Sequence, residues 1–384
     1  MLRTHTPFAL LVATLAITTQ AHGQGCVAIK SFSSCDMNAF TNSNLLGKGW
    51  TVSTNYRYFK SFRHFSGTEE NEDRFTVVNP DGTIGNEVIN WVHQLNLGVA
   101  YSFNKRNSLL ITLPWSYNTR SSLYEHGRTE RHEMRSVGIG DIRVSLQRWL
   151  FDPDSSANGN LAVAVGIKLP TGDFNAMDYA YNVVPRTDTA GTLYTGEYRP
   201  VDQSIQLGDG GFGFTVEIQG FAKLFGPVFG YVNGFYLLNP METNGARTYR
   251  ETLSPILENE AICSVPDQYM ARLGLNWNVS HKFGLNMFCG GRLEGIPVED
   301  LVGGSEGFRR PGYVISLEPG LDWMRGKHDV NVSVPVAMVR DRTQSVTDKE
   351  TEVATGKPRH GDAAFADYLI NISWSIRLGG GRSR

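Results

Sequence analysis

Two side chains that could act as a general base and a nucleophile stand two residues apart, in the run His64-Phe65-Ser66-Gly67. Residues i and i+2 of a β-strand share one face, so the imidazole of His64 could take the proton of the Ser66 hydroxyl. A hydrolytic site also needs a third group that orients the histidine, and the sequence shows none beside the pair. The pair gives only a remote hypothesis of hydrolysis. We predict that the chain is not an enzyme and uses no cofactor.

Oxygen-bearing side chains at every second position from Asp152 to Asn160 have the spacing of a calcium loop. The glycine of this run is in the wrong place, and Val163 occupies the position of the bidentate glutamate. A polar turn is the better interpretation. The run 125–133 holds carboxylates and histidines but alternates them with arginines, which is typical of a solvated, charge-paired loop. We therefore predict no metal site.

The four cysteines suit an exported protein, because disulfides persist in oxidising compartments. Cys26 and Cys35 are close in sequence and are predicted to form a disulfide, with two reduced thiols as the alternative. Cys263 and Cys289 are predicted not to pair. The expected strand register puts Cys289 opposite Arg272 or its neighbour, about nine residues or roughly 30 Å from Cys263.

The first residues have the features of a secretory signal peptide. Arg3 supplies a positive charge, residues 8–19 form an apolar stretch too short to span a bilayer as a helix, and small residues surround a cleavage site at Ala21-His22-Gly23. Cys26 raises the alternative of a lipoprotein, but Gly23 stands where a lipidation motif would have leucine. We predict a signal peptide over 1–23 and a short periplasmic segment over 24–49.

The composition argues against several classes of protein. The 384-residue chain has a formal net charge of −2 and 19% charged residues, which does not indicate a nucleic-acid partner. No later segment approaches the about 18 apolar residues of a membrane helix. Only a closed β-barrel could then cross a membrane, because lipid offers the backbone no hydrogen-bond partner. A mean hydropathy of −0.26 fits such a barrel, whose strands turn every second residue to a polar interior.

Alternation of apolar and polar residues is clear in the second half of the chain. From Tyr269 to Val279 the odd positions are apolar and the even positions are mostly polar, and the same rhythm returns over 330–338 and 368–378. A period of two indicates strands, whereas a helix would need apolar residues three or four apart. Twelve strands are predicted, near 50–59, 88–103, 108–118, 135–150, 161–169, 209–225, 228–238, 268–279, 283–293, 313–325, 328–338 and 366–378.

The connections between these strands alternate between tight turns and long polar segments. This asymmetry, an even strand number and aromatic residues gathered at both strand ends are typical of an outer-membrane barrel. A soluble β-sandwich would instead need polar outward faces. We predict an all-β, antiparallel up-and-down transmembrane barrel over 50–384 in a bacterial outer membrane, with long extracellular loops, short periplasmic turns and membrane lipid as a partner.

One motif resembles a known family. Val137-Gly138-Ile139-Gly140-Asp141-Ile142-Arg143, then Ile167-Lys168-Leu169-Pro170-Thr171-Gly172-Asp173 and Gly208-Asp209-Gly210-Gly211, resemble the outer-membrane barrels named for the MetA pathway of phenol degradation. The resemblance implies a barrel for uptake of small organic molecules and brings no catalytic residues. The motif also has a physical interpretation, since the outward set slips by one residue at Gly140-Asp141, which predicts a β-bulge.

The inward positions of the predicted strands carry an unusual number of charges. Such charges are tolerated only in a polar interior, because a charge facing lipid costs several kcal/mol. They either line a pore or form a salt-bridge network that plugs the barrel. The inward charged residues are Arg57, Asp141, Arg143, Lys168, Glu217, Lys223, Arg272, Arg292, Glu318, Asp322 and Arg377.

These features support three classes of function. The first is a porin-like channel for small polar or organic solutes, with a small organic or anionic molecule as its partner. The alternative is a non-conducting barrel whose surface loops bind a partner, and the remote alternative is a lipid hydrolase that uses His64 and Ser66. The sequence leaves the solute and the oligomeric state open.

Overall fold

The computed structural model describes residues 47–188, 191–248 and 254–378. Twelve antiparallel barrel strands are present, as predicted, and the first pairs with the last to close the barrel. Counting every strand of the chain, the barrel strands are β1 (Gly49–Ser66), β3 (Ile89–Ser102), β4 (Asn107–Ser122), β5 with β6 (His132–Ile139, Arg143–Trp149), β7 (Gly159–Lys168), β10 (Gly213–Phe225), β11 (Val228–Leu238), β14 (Gln268–Ser280), β15 (Leu285–Ile296), β16 (Gly312–Arg325), β17 with β18 (His328–Ser333, Val336–Asp341) and β19 (Ala363–Leu378).

The two faces of each strand have opposite surroundings, as the alternation predicts. On β14, Arg272 is 6% exposed on the inner face, while its neighbour Leu273 is 69% exposed on the outer face. Leu275 and Trp277 continue the outer apolar row, and Asn276 continues the inner polar row. An apolar band outside a polar interior is the arrangement a barrel needs in lipid. No helix within the described ranges has the length and apolar composition of a membrane span.

The long connections hold more regular structure than the sequence predicts. The connection after β7 forms a hairpin of β8 (Met177–Asp188) and β9 (Gly191–Pro200), and smaller pieces are β2 (Glu69–Glu70), β12 (Thr243–Arg247) and β13 (Ile262–Ser264). The predicted all-β fold is confirmed, and one short α-helix, α1 (Val346–Thr355), lies in the connection before β19. Short 3₁₀ turns occur at Glu72–Phe75, Gln203–Ile205 and Pro255–Ala261.

The ends of α1 carry sequence signals that explain it. The Ser345 side chain accepts from the Asp348 backbone N–H, and the Asp348 side chain accepts from the Ser345 backbone N–H, which completes a capping box. Gly356 ends the helix with a left-handed φ of 65°, a conformation that glycine adopts without steric cost. The sequence therefore carries the signals for both ends of α1, although the helix is only ten residues long.

The predicted slip at Gly140-Asp141 is present as the break between β5 and β6, both of which pair with β4. The three glycine-containing motif segments meet at this break. The Asp141 carboxylate accepts from the backbone N–H groups of Gly172 (3.0 Å) and Asp209 (3.1 Å), and Lys168 pairs with Asp209. The motif therefore fastens the long connection after β7 to the barrel wall.

We expect Gly172→Ala to destabilise the folded barrel by about 1–3 kcal/mol, because it overpacks this junction. A Cβ atom on Gly172 would lie 2.8 Å from the Gly208 backbone. The control is Gly291→Ala on β15, where no atom within 4 Å would meet the added methyl group. Guanidinium unfolding of both variants from lipid vesicles gives the comparison. If Gly172→Ala and Gly291→Ala are equally stable, the junction accommodates the added methyl group without loss of stability.

Candidate functional site

The inner surface of the barrel is the candidate site, because the predicted charged residues gather there. The structure places nine of the eleven in buried positions: Arg57, Asp141, Arg143, Lys168, Glu217, Arg272, Arg292, Glu318 and Asp322. Arg377 is half-buried and Lys223 is exposed near the short-turn end of the barrel.

Four of these residues and one further buried carboxylate form one connected group at mid-height, which we call the central network: Arg57, Arg272, Arg292, Glu318 and Glu294. Glu294 accepts from Arg57 at 2.8 Å and from Arg292 Nε at 3.0 Å. Glu318 accepts two hydrogen bonds from Arg272, at 2.8 and 3.0 Å, and lies 3.8 Å from Arg292. Three guanidinium groups thus share two carboxylates.

The Arg57–Glu294 pair crosses the interior of the barrel. Arg57 belongs to β1 and Glu294 to β15, and the barrel wall between them runs through β19, the β17/β18 strand and β16. Four strand spacings amount to roughly 19 Å along the wall. The two side chains can meet at 2.8 Å only by reaching across the lumen. The central network therefore obstructs the barrel at this level.

Above the central network, towards the long loops, lies a small chamber of about 70 Å³. Its lining combines apolar side chains such as Phe59 and Ile296 with amides such as Gln94, Asn118 and Gln268. Segments 203–209 and 263–266 of the loops form part of its wall. The chamber is the outer-side neighbour of the central network, because Phe59 and Gln94 stand beside Arg57 on β1 and β3.

A larger and more polar cavity of about 380 Å³, which we call the vestibule, lies at the long-loop end of the barrel. Arg310 lines both the vestibule and the chamber, so the two spaces adjoin at this side chain. Arg310 stacks on the Phe308 ring and donates two hydrogen bonds to Asp202, at 3.0 and 2.8 Å. The vestibule is also lined by Arg74, Arg342, Arg359, His360, Glu260, Asp348 and Asp362.

Below the central network the two walls of the lumen differ. On one wall the inward rings of Trp149, Phe221, Tyr231 and Phe288 pack into a buried aromatic cluster. On the opposite wall the inward residues are small, polar and partly exposed to solvent, although they point into the barrel. They are Ser53, Asn55, Thr112, Asn331 and Ser373. This polar wall extends from the short-turn end up to Arg57.

The structure supplies a carboxylate that orients His64, but it leaves His64 unable to act as the base for Ser66. His64 Nδ1 lies 2.7 Å from Asp362, yet Nε2 accepts a hydrogen bond from the Val88 backbone N–H at 2.8 Å. Ser66 accepts from Asn71 at 3.1 Å. Since both nitrogens of the imidazole are engaged elsewhere, His64 has no lone pair left for the Ser66 hydroxyl.

The predicted cysteine arrangement is tested in part. Cys263 and Cys289 form no disulfide with each other, as predicted. Cys289 lies opposite Leu275, so the expected register near Arg272 was wrong by two or three residues. Cys26 and Cys35 lie outside the described residues, and their disulfide stays a prediction. No group of three or more His, Cys, Asp or Glu side chains suited to a metal is found among the described residues.

The β8–β9 hairpin is held against the barrel by two histidines of the β4–β5 hairpin. His126 Nδ1 accepts from the Tyr181 backbone N–H at 3.0 Å, and the His132 ring stacks on the Tyr181 ring at 4.1 Å. Burial, and then the neighbouring His132, lower the pKa of His126 to about 4. The His126 imidazole that receives the hydrogen bond from the docked hairpin is therefore neutral at pH 7.

We expect the hairpin to loosen as the pH falls from 6.5 towards 4. A lowered pKa in the folded state means stability that is present above the unfolded pKa and is lost on acidification. At pH 5 the loss is about 1–2 kcal/mol. Hydrogen exchange of the β8–β9 amides at pH 7 and pH 5, corrected for intrinsic rates, measures it. His126→Gln should remove the pH dependence, and an unaltered pH response in that variant would contradict the assignment.

No protein-family model matches the chain, and no curated relative is found by sequence. Solved structures match its fold. An outer membrane channel from Pseudomonas putida F1 superposes with a TM-score of 0.53 at 12% identity, over 86% of this chain and 96% of that one. The toluene transporter TodX of P. putida has a TM-score of 0.43 at 9% identity, over 94% and 100% of the two chains. The translocator domain of the autotransporter NalP from Neisseria meningitidis has a TM-score of 0.43 at 12% identity, over 86% and 89%.

At this identity the first match shows the fold, a barrel of the outer-membrane type. The resemblance of residues 137–143, 167–173 and 208–211 to the MetA-pathway family remains a prediction. The residue that the sequence reasoning missed is Glu294, because the predicted ninth strand ended at residue 293. Glu294 lies two residues after Arg292 and therefore points to the same inner face. A predicted strand longer by one residue would have contained it.

Proposed function

We propose that the chain is an outer-membrane channel for small polar or organic solutes, exported through its signal peptide and embedded in lipid through its outer apolar band. The observation that carries this proposal is the division of the lumen. The chamber and vestibule lie on the long-loop side, and the partly exposed polar wall lies on the short-turn side. In the part of the chain that the structure describes, the central network lies between these two regions. A barrel packed solely for stability would gain nothing from partly exposed polar surface on one side of buried ion pairs and polar cavities on the other.

The charge of the central network favours anions among the solutes. Within the central network three arginines face two glutamates. A charged constriction between low-dielectric walls raises the local concentration of the opposite ion. A small organic or anionic molecule is therefore the solute class that we propose.

Planar-bilayer recording of the refolded mature chain tests the channel. The wild type should show small, discrete conductance steps, with a reversal potential in a salt gradient that indicates anion preference. Swelling of liposomes in uncharged solutes measures passage of organic molecules. A barrel that conducts no ions at any voltage and admits no solute would reject the proposal.

The β8–β9 hairpin supports the second candidate function, a barrel that presents a binding surface. Leu193, Tyr194 and Tyr198 are exposed on this hairpin. Large exposed apolar and aromatic groups are typical of binding surfaces. A barrel without conductance that loses capture of its partner when the hairpin is shortened would favour this function. Lipid hydrolysis by the refolded chain, with and without Ser66→Ala, tests the remote enzymatic alternative.

A further inference from the structure

The chamber differs from the central network and from the vestibule in the charge of its lining. The lining includes two charged side chains, Asp209 and Arg310, and both are engaged in ion pairs. Lys168 pairs with Asp209, and Arg310 donates two hydrogen bonds to Asp202. A molecule in the chamber therefore meets paired charges, amides, hydroxyl groups and apolar surface. Such a lining suits an uncharged solute better than an ion, because a buried ion needs a partner of opposite charge.

The apolar part of the lining comes from both the barrel wall and the loops. Phe59, Val92 and Ile296 belong to β1, β3 and β15, and Leu207 belongs to the loop segment 203–209. Apolar surface of this kind is stabilised when it covers a carbon skeleton. The chamber volume of about 70 Å³ corresponds to about five to seven water-sized positions, and so to a solute with about as many non-hydrogen atoms.

Two buried polar atoms of the lining have no hydrogen-bond partner among the described residues: Asn118 Oδ1 and Ser264 Oγ. Asn118 is 5% exposed and Ser264 is 1% exposed. Asn118 Nδ2 donates to Ser136 Oγ at 3.2 Å and to the Ile205 carbonyl at 3.3 Å, which fixes the orientation of the amide and leaves Oδ1 for a ligand. Water can satisfy both atoms, and a solute that displaces this water must supply the same hydrogen bonds.

The chemistry of the two atoms selects the solute. An amide oxygen only accepts hydrogen bonds, so the solute must bring an O–H or N–H donor to Asn118. The Ser264 hydroxyl can donate or accept, so a hydroxyl group of the solute suits both positions. A carboxylate or another unprotonated anion has no donor to offer to Asn118 Oδ1.

We propose that the chamber binds a small, uncharged, hydroxyl-bearing solute of the polyol type. Its carbon skeleton lies against Phe59 and Ile296, and its hydroxyl groups bind Asn118 and Ser264. The inference rests on the proposed channel function and deepens it, because it narrows the solute class to uncharged hydroxylated molecules.

The experiment measures binding of glycerol to the mature chain refolded in detergent micelles, by saturation-transfer NMR at increasing glycerol concentration. Glycerol matches the chamber in size and carries a hydroxyl group on every carbon. The comparison solutes are 1,2-propanediol, which lacks a terminal hydroxyl group, and glycerate, which has a carboxylate in place of a terminal alcohol. We expect glycerol to bind more tightly than either, because a site built for hydroxyl groups rejects analogues without them.

Ser264→Ala and Asn118→Leu each remove one of the two unpartnered atoms. Each should weaken glycerol binding by about threefold to tenfold, which corresponds to one hydrogen bond. Ser264→Ala should leave the stability of the barrel unchanged, because its hydroxyl group has no partner among the described residues to lose. The matched control is Thr215→Val on β10, a site outside the chamber lining where a hydroxyl group is also buried without a described partner. It should change neither measurement.

Two results would overturn the proposal. Glycerate that binds as tightly as glycerol would make Arg310 the ligand group in place of Asn118 and Ser264. Glycerol affinity that is unchanged in Ser264→Ala would show that the solute does not occupy the chamber, whether or not Asn118→Leu folds. Binding is measured without conductance, so a barrel that binds glycerol through Ser264 but passes no solute would reject the channel and keep the binding site.

Discussion

Arg272→Glu is expected to destabilise the folded barrel by about 3–5 kcal/mol, because it breaks a buried ion pair and leaves like charges together. The Arg272 guanidinium donates two hydrogen bonds to Glu318, and both side chains are buried. A glutamate at this position would stand beside Glu318, and Arg292, its cross-strand neighbour, is already shared with Glu294. Guanidinium unfolding of the barrel from lipid vesicles measures the loss.

Two further variants separate the charge effect from the position. Leu273→Arg, next in sequence, puts a charge into lipid and should cost about 2–4 kcal/mol near the bilayer midplane. If Arg272 were solvated in an open lumen, Arg272→Glu would reduce the stability less than Leu273→Arg does. Because Arg272 is paired with Glu318 in a buried position, we expect the opposite order. The double variant Arg272→Gln with Glu318→Gln removes both charges and should recover much of the loss. If Arg272→Glu is close to wild type in stability, the pair is not buried in the folded protein.

Arg57→Ser is expected to raise the single-channel conductance severalfold, because it removes the side chain that spans the lumen between the chamber and the polar wall. Glu294 keeps its partner Arg292 in this variant, so the barrel should still fold. The central network would then hold two arginines and two glutamates, and the anion preference of the wild type should decline. Conductance and reversal potential in a salt gradient measure both effects.

Asn55→Ser is the matched control for this prediction. Asn55 lies on the same strand and the same inner face as Arg57, two residues nearer the short-turn end, where the lining is already partly exposed. Its shortening should change conductance little. Equal conductance in Arg57→Ser and the wild type would mean that the Arg57–Glu294 pair is not the constriction. If neither the wild type nor Arg57→Ser conducts ions, the surface-binding alternative is favoured.

The sequence by itself determined the strands, their number and the direction of their side chains. A period of two assigns each residue of a strand to the lipid or the lumen without reference to the rest of the chain, because successive side chains point to opposite faces. This is why Arg272 and Leu273 were assigned correctly to opposite faces. The slip at Gly140-Asp141 could also be predicted, because it appears in the sequence as a local change in the alternation.

Only the tertiary structure decided which inward residues meet. Parity says that Arg57 and Arg292 face the lumen, but not that both reach Glu294, since contact across a barrel depends on closure, strand tilt and register summed over several strands. The same holds for His64, whose partner Asp362 follows 298 residues later. The β8–β9 hairpin lies in a polar segment whose position depends on docking against His126 and His132 of the β4–β5 connection. The function of the lumen is decided by these long-range contacts, which local periodicity does not encode.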